Sequence, residues 1–180
     1  MKNTFLDKVI RNLRSGQVIK EISPGAIVCD FGCDEGHFLR EISPRISKGF
    51  GIDRRTKALK EGNLSFIQSN LESPIPELKA DAVTMLAVLE HLNEPKKVVL
   101  SAYKTLNSKG KLILTTPSPL AKPVLEALAK LKVIDENEIK DHKHYFSKSE
   151  LIALLKETGF KNVTVKSFEL GMNLLAVGEK

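Results

Sequence analysis

Residues 28–38 read VCDFGCDEGHF, and this stretch decides the fold. An apolar run, AIVCDF, suits a buried strand that ends at Asp30 and Phe31; Gly32 opens a turn and Gly36 begins a helix reaching about Ile42. Free amide groups at such a helix start attract an anionic or electron-rich ligand, and glycines let that ligand approach the backbone. A tight strand-to-helix turn that binds nothing is the competing reading of the same residues.

Working outward, strand-like runs recur at KGFGID, LSFIQS, ADAVTMLA and GKLILTTP. Helical patterns lie between most of them, among them Val98, Val99, Ala102, Tyr103 and Leu106. Alternating strands and helices predict an α/β fold, a parallel sheet covered by helices on both faces. Upstream, Phe5, Leu6, Val9, Ile10 and Leu13 predict one helix face that Gly16 ends, with QVIKEI as a second short helix stopping at Ser23-Pro24-Gly25. Downstream, a helix is expected from about Pro123 to Ile134, followed by the polar DENEIKDHKH. Ser147 and Glu150 form a capping box, with Phe146 and Leu151 as its hydrophobic staple, for a helix ending near Thr158-Gly159. The last two runs, KNVTVKSFEL and MNLLAVGEK, predict a terminal hairpin.

At 180 residues and 42% hydrophobic composition the chain predicts one domain over residues 1–180. No stretch has the roughly 18 apolar residues of a membrane span, and the first residues lack a signal-peptide core, so a cytoplasmic location is expected. Cys29 and Cys33, the two cysteines, complete neither a zinc set nor a disulfide framework and are expected to be reduced and structural. The net charge of +6 comes from scattered Lys and Arg rather than a dense basic stripe with interleaved aromatics, so a solvated surface is favoured over nucleic-acid binding. Nothing in the pattern specifies an oligomer.

Three further strand tips carry chemistry. Asp53 ends GFGID about twenty residues after the glycine turn, where a carboxylate can accept both hydroxyls of a ribose; a helix cap is its structural alternative. Asn70 and Leu71 offer an amide and an aliphatic surface for a purine, or simply a polar loop. The carbonyls of Leu86 and Ala87 fall at the carboxyl end of a fourth strand, where open α/β sheets bind ligands.

These blocks, with VLEHL after the fourth strand and SKGKLILTTPSP at the fifth, resemble the class I S-adenosylmethionine-dependent methyltransferases over nearly all of residues 17–178. HYFSKSELIALLKETGF is similar to a late helix of the small-molecule members. The resemblance implies a Rossmann-like three-layer sandwich with a seven-stranded, mostly parallel sheet whose last strand is antiparallel. It implies S-adenosylmethionine lying across Asp30, Gly32, Cys33, Asp34 and Gly36, with the ribose on Asp53 beside Arg54. Asn70 and Leu71 would flank the adenine, with the Leu86 carbonyl near the methionine part. Asp34 departs from the family, which usually has glycine there; pairing with the cofactor's ammonium group is the expected effect.

The implied reaction is methyl transfer to a small-molecule acceptor, O-methylation in particular, held by the N-terminal helix and residues 118–146. An RNA methyltransferase and a non-catalytic cofactor-binding protein are the alternatives. Histidine is the side chain suited to proton transfer near neutral pH, so His91, His142 and His144 are the candidate bases; His144 and His91 are preferred. Metal-using ubiquinone-pathway O-methyltransferases carry a Glu three residues before the Glu-His pair, a position that is Ala87 here, so no metal is expected. Nor does an Asn-Pro-Pro-Tyr-like stretch follow the fourth strand, which weighs against methylation of an exocyclic amino group.

Overall fold

The computed structural model describes residues 5–130 and 141–180. Helix α1 (Phe5–Ile19) leads into β1 (Ile27–Phe31) and α2 (His37–Ile42), then β2 (Lys48–Asp53), β3 (Leu59–Glu61), β4 (Leu64–Gln68) and β5 (Ala80–Leu86). Helix α3 (Pro95–Thr105), β6 (Leu106–Pro117), α4 (Ala121–Lys130), α5 (Lys148–Glu157), β7 (Lys161–Phe168) and β8 (Asn173–Glu179) complete the order.

The strands form one sheet in the order β3-β4-β2-β1-β5-β6-β8-β7. Strands β4, β2, β1, β5 and β6 pair in parallel, while β8 runs antiparallel to both β6 and β7. Neighbouring residues of a strand point to opposite faces, so each central strand feeds two cores. Cys29, Val83, Leu112 and Ala176 join α3 and α5 on one face; Val28, Ala82, Ile113 and Leu175 join Val18 of α1 and Leu39 of α2 on the other. That is the expected three-layer α/β arrangement, with the antiparallel last strand.

Several details differ from the sequence expectation. The sheet has eight strands: β3 is an extra edge strand, joined to β4 by the two-residue Gly62-Asn63 turn and paired as Leu59↔Phe66 and Glu61↔Leu64. Its three residues are all exposed and show no alternation of polarity, so no periodic signal marks them. Gly16 does not end α1; a Cβ there would meet nothing, and a glycine inside a helix costs only about 1 kcal/mol. Packing of Val18 and Ile22 carries the chain past it, so no second helix begins at QVIKEI. Leu13, placed on the apolar face, is 52% exposed, while Ser15 is buried. Strand β6 starts at Leu106, four residues early, taking Leu106 from the helical pattern. The fourth helix ends its described part at Lys130, and the remainder of the expected Pro123–Ile134 helix lies outside the described residues, as does most of DENEIKDHKH. The capping box at Ser147 is present on both sides, Glu150 N–H to Ser147 Oγ and Ser147 N–H to Glu150 Oε2. No helix among the described residues is long and apolar enough to cross a membrane.

Candidate functional site

The turn after β1 is built from left-handed backbone: Gly32 has φ 81°, Asp34 φ 49° and Gly36 φ 78°. L-residues other than Asn and Asp avoid this region, so two glycines and an aspartate satisfy it with little steric cost. Space sets the glycines too. A Cβ on Gly32 would collide with Val88, and one on Gly36 with the Phe66 ring, so the turn lies tight against the loop after β5 and against β4.

Asp53, at the tip of β2, ties this turn to the neighbouring strand. Its Oδ2 accepts the Asp34 N–H at 3.1 Å and its Oδ1 the Arg55 N–H at 2.7 Å. An ionised carboxylate has about four acceptor sites, so two remain for a ribose diol. The Asp34 carboxylate meets the Arg55 guanidinium at 3.1 Å. It therefore has a partner within the protein, Arg55, a residue absent from the sequence expectation, and a cofactor ammonium group would share or displace that exposed contact. Arg54 is exposed, its carbonyl accepting from the Gln68 side chain.

Asp30 is 3% exposed and accepts from the Thr84 hydroxyl at 2.7 Å, its direct register partner on β5. Burial raises its carboxyl from 3.8 to about 7, against the Thr84 hydrogen bond and helped by the charge of Asp53. The Cys33 thiol is buried and pushed up by burial, with the charges of Asp30, Asp53 and Asp34 acting in the same direction. Both cysteines are free.

Asn70 is exposed, and its side-chain oxygen accepts the Glu72 N–H at 3.0 Å, which leaves its NH₂ group to donate. Leu71 is 7% exposed and belongs to the main core, so it offers a ligand far less surface than an open aliphatic platform would. Leu86 is half-buried at the end of β5, followed by Ala87 with φ 55°, whose N–H bonds to Thr115 O at 3.0 Å. This left-handed residue turns the chain sharply at the carboxyl ends of the strands. A cavity of about 480 Å³ beside the turn is lined by Asp34, Arg55, Phe66 and Arg40 but not by Gly32, Asp53, Asn70 or Leu86, so it flanks the predicted cofactor line rather than coinciding with it.

A second cluster sits past the end of β5, on the 3-10 turn Leu89–His91. Glu90 is 1% exposed; Thr116 Oγ1 donates to its Oε2 at 3.0 Å while Oε1 has no hydrogen-bond partner among the described residues. Burial raises its carboxyl. The Glu90 carbonyl accepts the N–H groups of Lys143 (2.8 Å) and His144 (3.3 Å), which pins the segment after residue 141 over this turn. His91 and His142 thereby meet edge to face, ring centroids 4.8 Å apart. His91 Nδ1 bonds to the Asp141 carbonyl at 3.3 Å and His142 Nδ1 to the Tyr145 hydroxyl at 3.1 Å. Burial first, and the charge of His91 second, lowers His142 to about 4. Of the two preferred histidines, His91 joins this cluster; the His144 ring instead stacks at a tilt on Phe146, centroids 5.5 Å apart. His142, one of three histidines considered from the sequence, takes its place beside Glu90. Thr116, Arg14 and Tyr145 were missed: only the fold brings the first two to Glu90 and Tyr145 to His142.

The glycine turn and Asp53 fit S-adenosylmethionine, since a close-approach turn and a strand-tip carboxylate stand side by side at the carboxyl ends of β1 and β2. Comparison with known proteins agrees. Residues 4–165 match the model of a methyltransferase domain family. The chain is 29% identical over 153 residues to a ubiquinone biosynthesis O-methyltransferase of Psychrobacter arcticus, covering 76% of this chain and 59% of that relative. It is 28% identical over 139 residues to a ubiquinone/menaquinone biosynthesis C-methyltransferase of Yersinia enterocolitica, covering 66% and 54%. It thus spans little more than half the length of these curated relatives. The fold is similar to an S-adenosylmethionine-dependent methyltransferase of Mesorhizobium loti (TM-score 0.72, 16% identity, 92% and 96% covered). It is also similar to human N-acetylserotonin methyltransferase in complex with S-adenosylmethionine (TM-score 0.70, 16% identity, 95% and 52% covered). The chain belongs to the methyltransferase domain family, within the class I S-adenosylmethionine-dependent methyltransferases.

Proposed function

We propose that this chain transfers the methyl group of S-adenosylmethionine to a small-molecule acceptor, with an oxygen as the accepting atom. The observation that carries this reading is the bond from Asp34 N–H to Asp53 Oδ2, which locks the glycine turn to the strand-tip carboxylate. When bound, the cofactor supplies a methyl group on a sulfonium, already a strong electrophile. The protein's part is positioning. Gly32 and Gly36 let the turn approach the methionine part, Asp53 accepts from the ribose hydroxyls, and the Asn70 amide donates to the adenine. Holding acceptor and methyl donor in line removes much of the entropic barrier. Oxygen as acceptor is supported by the ubiquinone biosynthesis O-methyltransferase relative, beside which the C-methyltransferase relative supports carbon as the second reading; the lack of an Asn-Pro-Pro-Tyr-like stretch weighs only against an amino nitrogen.

A hydroxyl acceptor must shed a proton as the new C–O bond forms and the C–S bond breaks. His144, carried over the 3-10 turn by its bond to the Glu90 carbonyl, is proposed to accept that proton, with His91 as the second candidate. The acceptor itself is proposed to lie between α1 and the segment 118–146, the described part of which exposes Leu120 and Val124. The test is incubation of the purified protein with methyl-labelled cofactor and a low-molecular-mass cell extract, read by mass spectrometry. Label in a small molecule, lost or slowed about 10² to 10⁴-fold in His144→Ala at unchanged cofactor affinity, supports the reading. Cofactor binding with no labelled product across broad acceptor pools would instead favour a non-catalytic cofactor-binding protein.

A further inference from the structure

We infer that Glu90, His91 and His142 form a binding site for a divalent transition-metal cation of the Zn²⁺ or Co²⁺ type. This inference does not depend on the methyl-transfer reading. One potential ligand atom from each of the three side chains lies within 4.8 Å of those of the other two. Ligands sharing one ion at about 2.1 Å in tetrahedral geometry stand roughly 3.4 Å apart, so closure takes a contraction of at most about 1.4 Å, within reach of side-chain rotation. Two imidazoles and one carboxylate match borderline-soft cations and leave positions for water or another ligand.

Two independent features point to a ligand here. Glu90 is 1% exposed, Thr116 holds its Oε2, and its Oε1 is buried with no hydrogen-bond partner among the described residues, a costly state for a carboxylate oxygen unless something binds it. Each imidazole, in turn, has its Nδ1 engaged by an outer group: His91 by Asp141, whose carbonyl is at 3.3 Å and carboxylate at 3.6 Å, and His142 by the Tyr145 hydroxyl at 3.1 Å. In the tautomer that donates each Nδ1 proton outward, Nε2 of each ring is the nitrogen left to coordinate. Outer carboxylate, carbonyl or hydroxyl partners of this kind fix the tautomer and orientation of metal-bound histidines.

The sequence expectation of no metal rested on Ala87, which supplies no ligand from the strand end. The fold provides a third ligand from elsewhere, because the Lys143 and His144 N–H groups clamp the segment carrying His142 onto the Glu90 carbonyl. With His91 engaged as a ligand, His144 is left as the proton acceptor of the preferred pair. The cluster has one rival occupant. Arg14 lies close enough to lower the Glu90 carboxyl by its charge, and its buried Nε also lacks a partner among the described residues, so a guanidinium could close on Oε1 instead.

The test titrates Co²⁺ into tag-free, chelator-stripped protein of full length, read by visible absorption and by calorimetry. The inference predicts one Co²⁺ per chain with a d–d band that Zn²⁺ displaces. Affinity should fall at least tenfold in His142→Ala and in Glu90→Gln, and should hold or rise in Arg14→Met. Far-ultraviolet circular dichroism checks that each variant is folded. Tyr145→Phe, which keeps the ring and all three ligands, should weaken binding less than His142→Ala does. The inference is overturned by no binding up to millimolar Co²⁺ in folded wild-type protein. It is equally overturned by binding that neither His142→Ala nor Glu90→Gln changes, or by binding that Arg14→Met abolishes.

Discussion

Two aspartates carry the most specific consequences at the residue scale. Asp30 holds its proton more tightly when folded than when unfolded, so its ionisation opposes folding: the cofactor-free protein loses stability as pH rises from about 4 to about 7, with no further loss from this group above that. The penalty is on the order of 1 to 4 kcal/mol. Asp30→Asn should flatten the urea-midpoint profile between pH 4.5 and 7.5 relative to wild type; parallel profiles would contradict the assignment. Asp34 raises a smaller question, why an aspartate stands where a glycine is usual. Its answer lies in a left-handed backbone that aspartate tolerates and a side chain that finds Arg55. Both partners are substantially exposed, at 60% and 39% of the side chain, so the pair contributes only about 0 to 1 kcal/mol. A double-mutant cycle on Asp34→Asn and Arg55→Gln should give a coupling below about 1 kcal/mol that shrinks in molar salt. None of this pairing was legible in the sequence, because nothing in the residue order says which of the neighbouring arginines, Arg54 or Arg55, turns back toward residue 34.

At the scale of elements, the sequence spoke clearly where local chemistry is strong. The capping box at Ser147 is formed as SKSE predicts, with its Oγ accepting from Glu150 N–H. Ser147→Ala should cost about 0.5 to 2 kcal/mol in chemical denaturation, with the loss confined to α5 in hydrogen exchange. The buried parallel strands were equally readable, since β1 and β5 are near-continuous apolar runs. Local chemistry failed where tertiary contacts decide. Gly16 reads as a stop signal, yet α1 continues because Val18 beyond it is fully buried. Exposed β3 exists only because a Gly-Asn turn folds it back on β4. Gly36 is the position where both levels agree: left-handed at φ 78° and pressed on Phe66. Gly36→Ala should destabilise the protein by at least about 1 kcal/mol, from the left-handed backbone alone, and weaken cofactor binding with it.

Across the whole molecule, the strand tips proposed to hold the cofactor were legible as strand ends, because each ends a strand that the hydrophobic pattern already marks. Asp53 and the glycine turn stand about twenty residues apart in sequence, and the Ile27↔Lys48 to Phe31↔Ile52 register of β1 and β2 brings them within one hydrogen bond. The cluster around Glu90 was not legible, since His142 is more than fifty residues from Glu90 and arrives through main-chain bonds no periodicity records. The central claim is that the glycine turn and Asp53 together hold S-adenosylmethionine, and isothermal titration of the cofactor into wild-type protein and Asp53→Ala tests it most directly. The prediction is one cofactor per chain in wild type and a loss of about 1 to 3 kcal/mol in the variant, the usual cost of removing hydrogen bonds to a charged group. Equal affinity in wild type and a folded Asp53→Ala variant, or no binding of the cofactor by the folded wild-type chain, would contradict it.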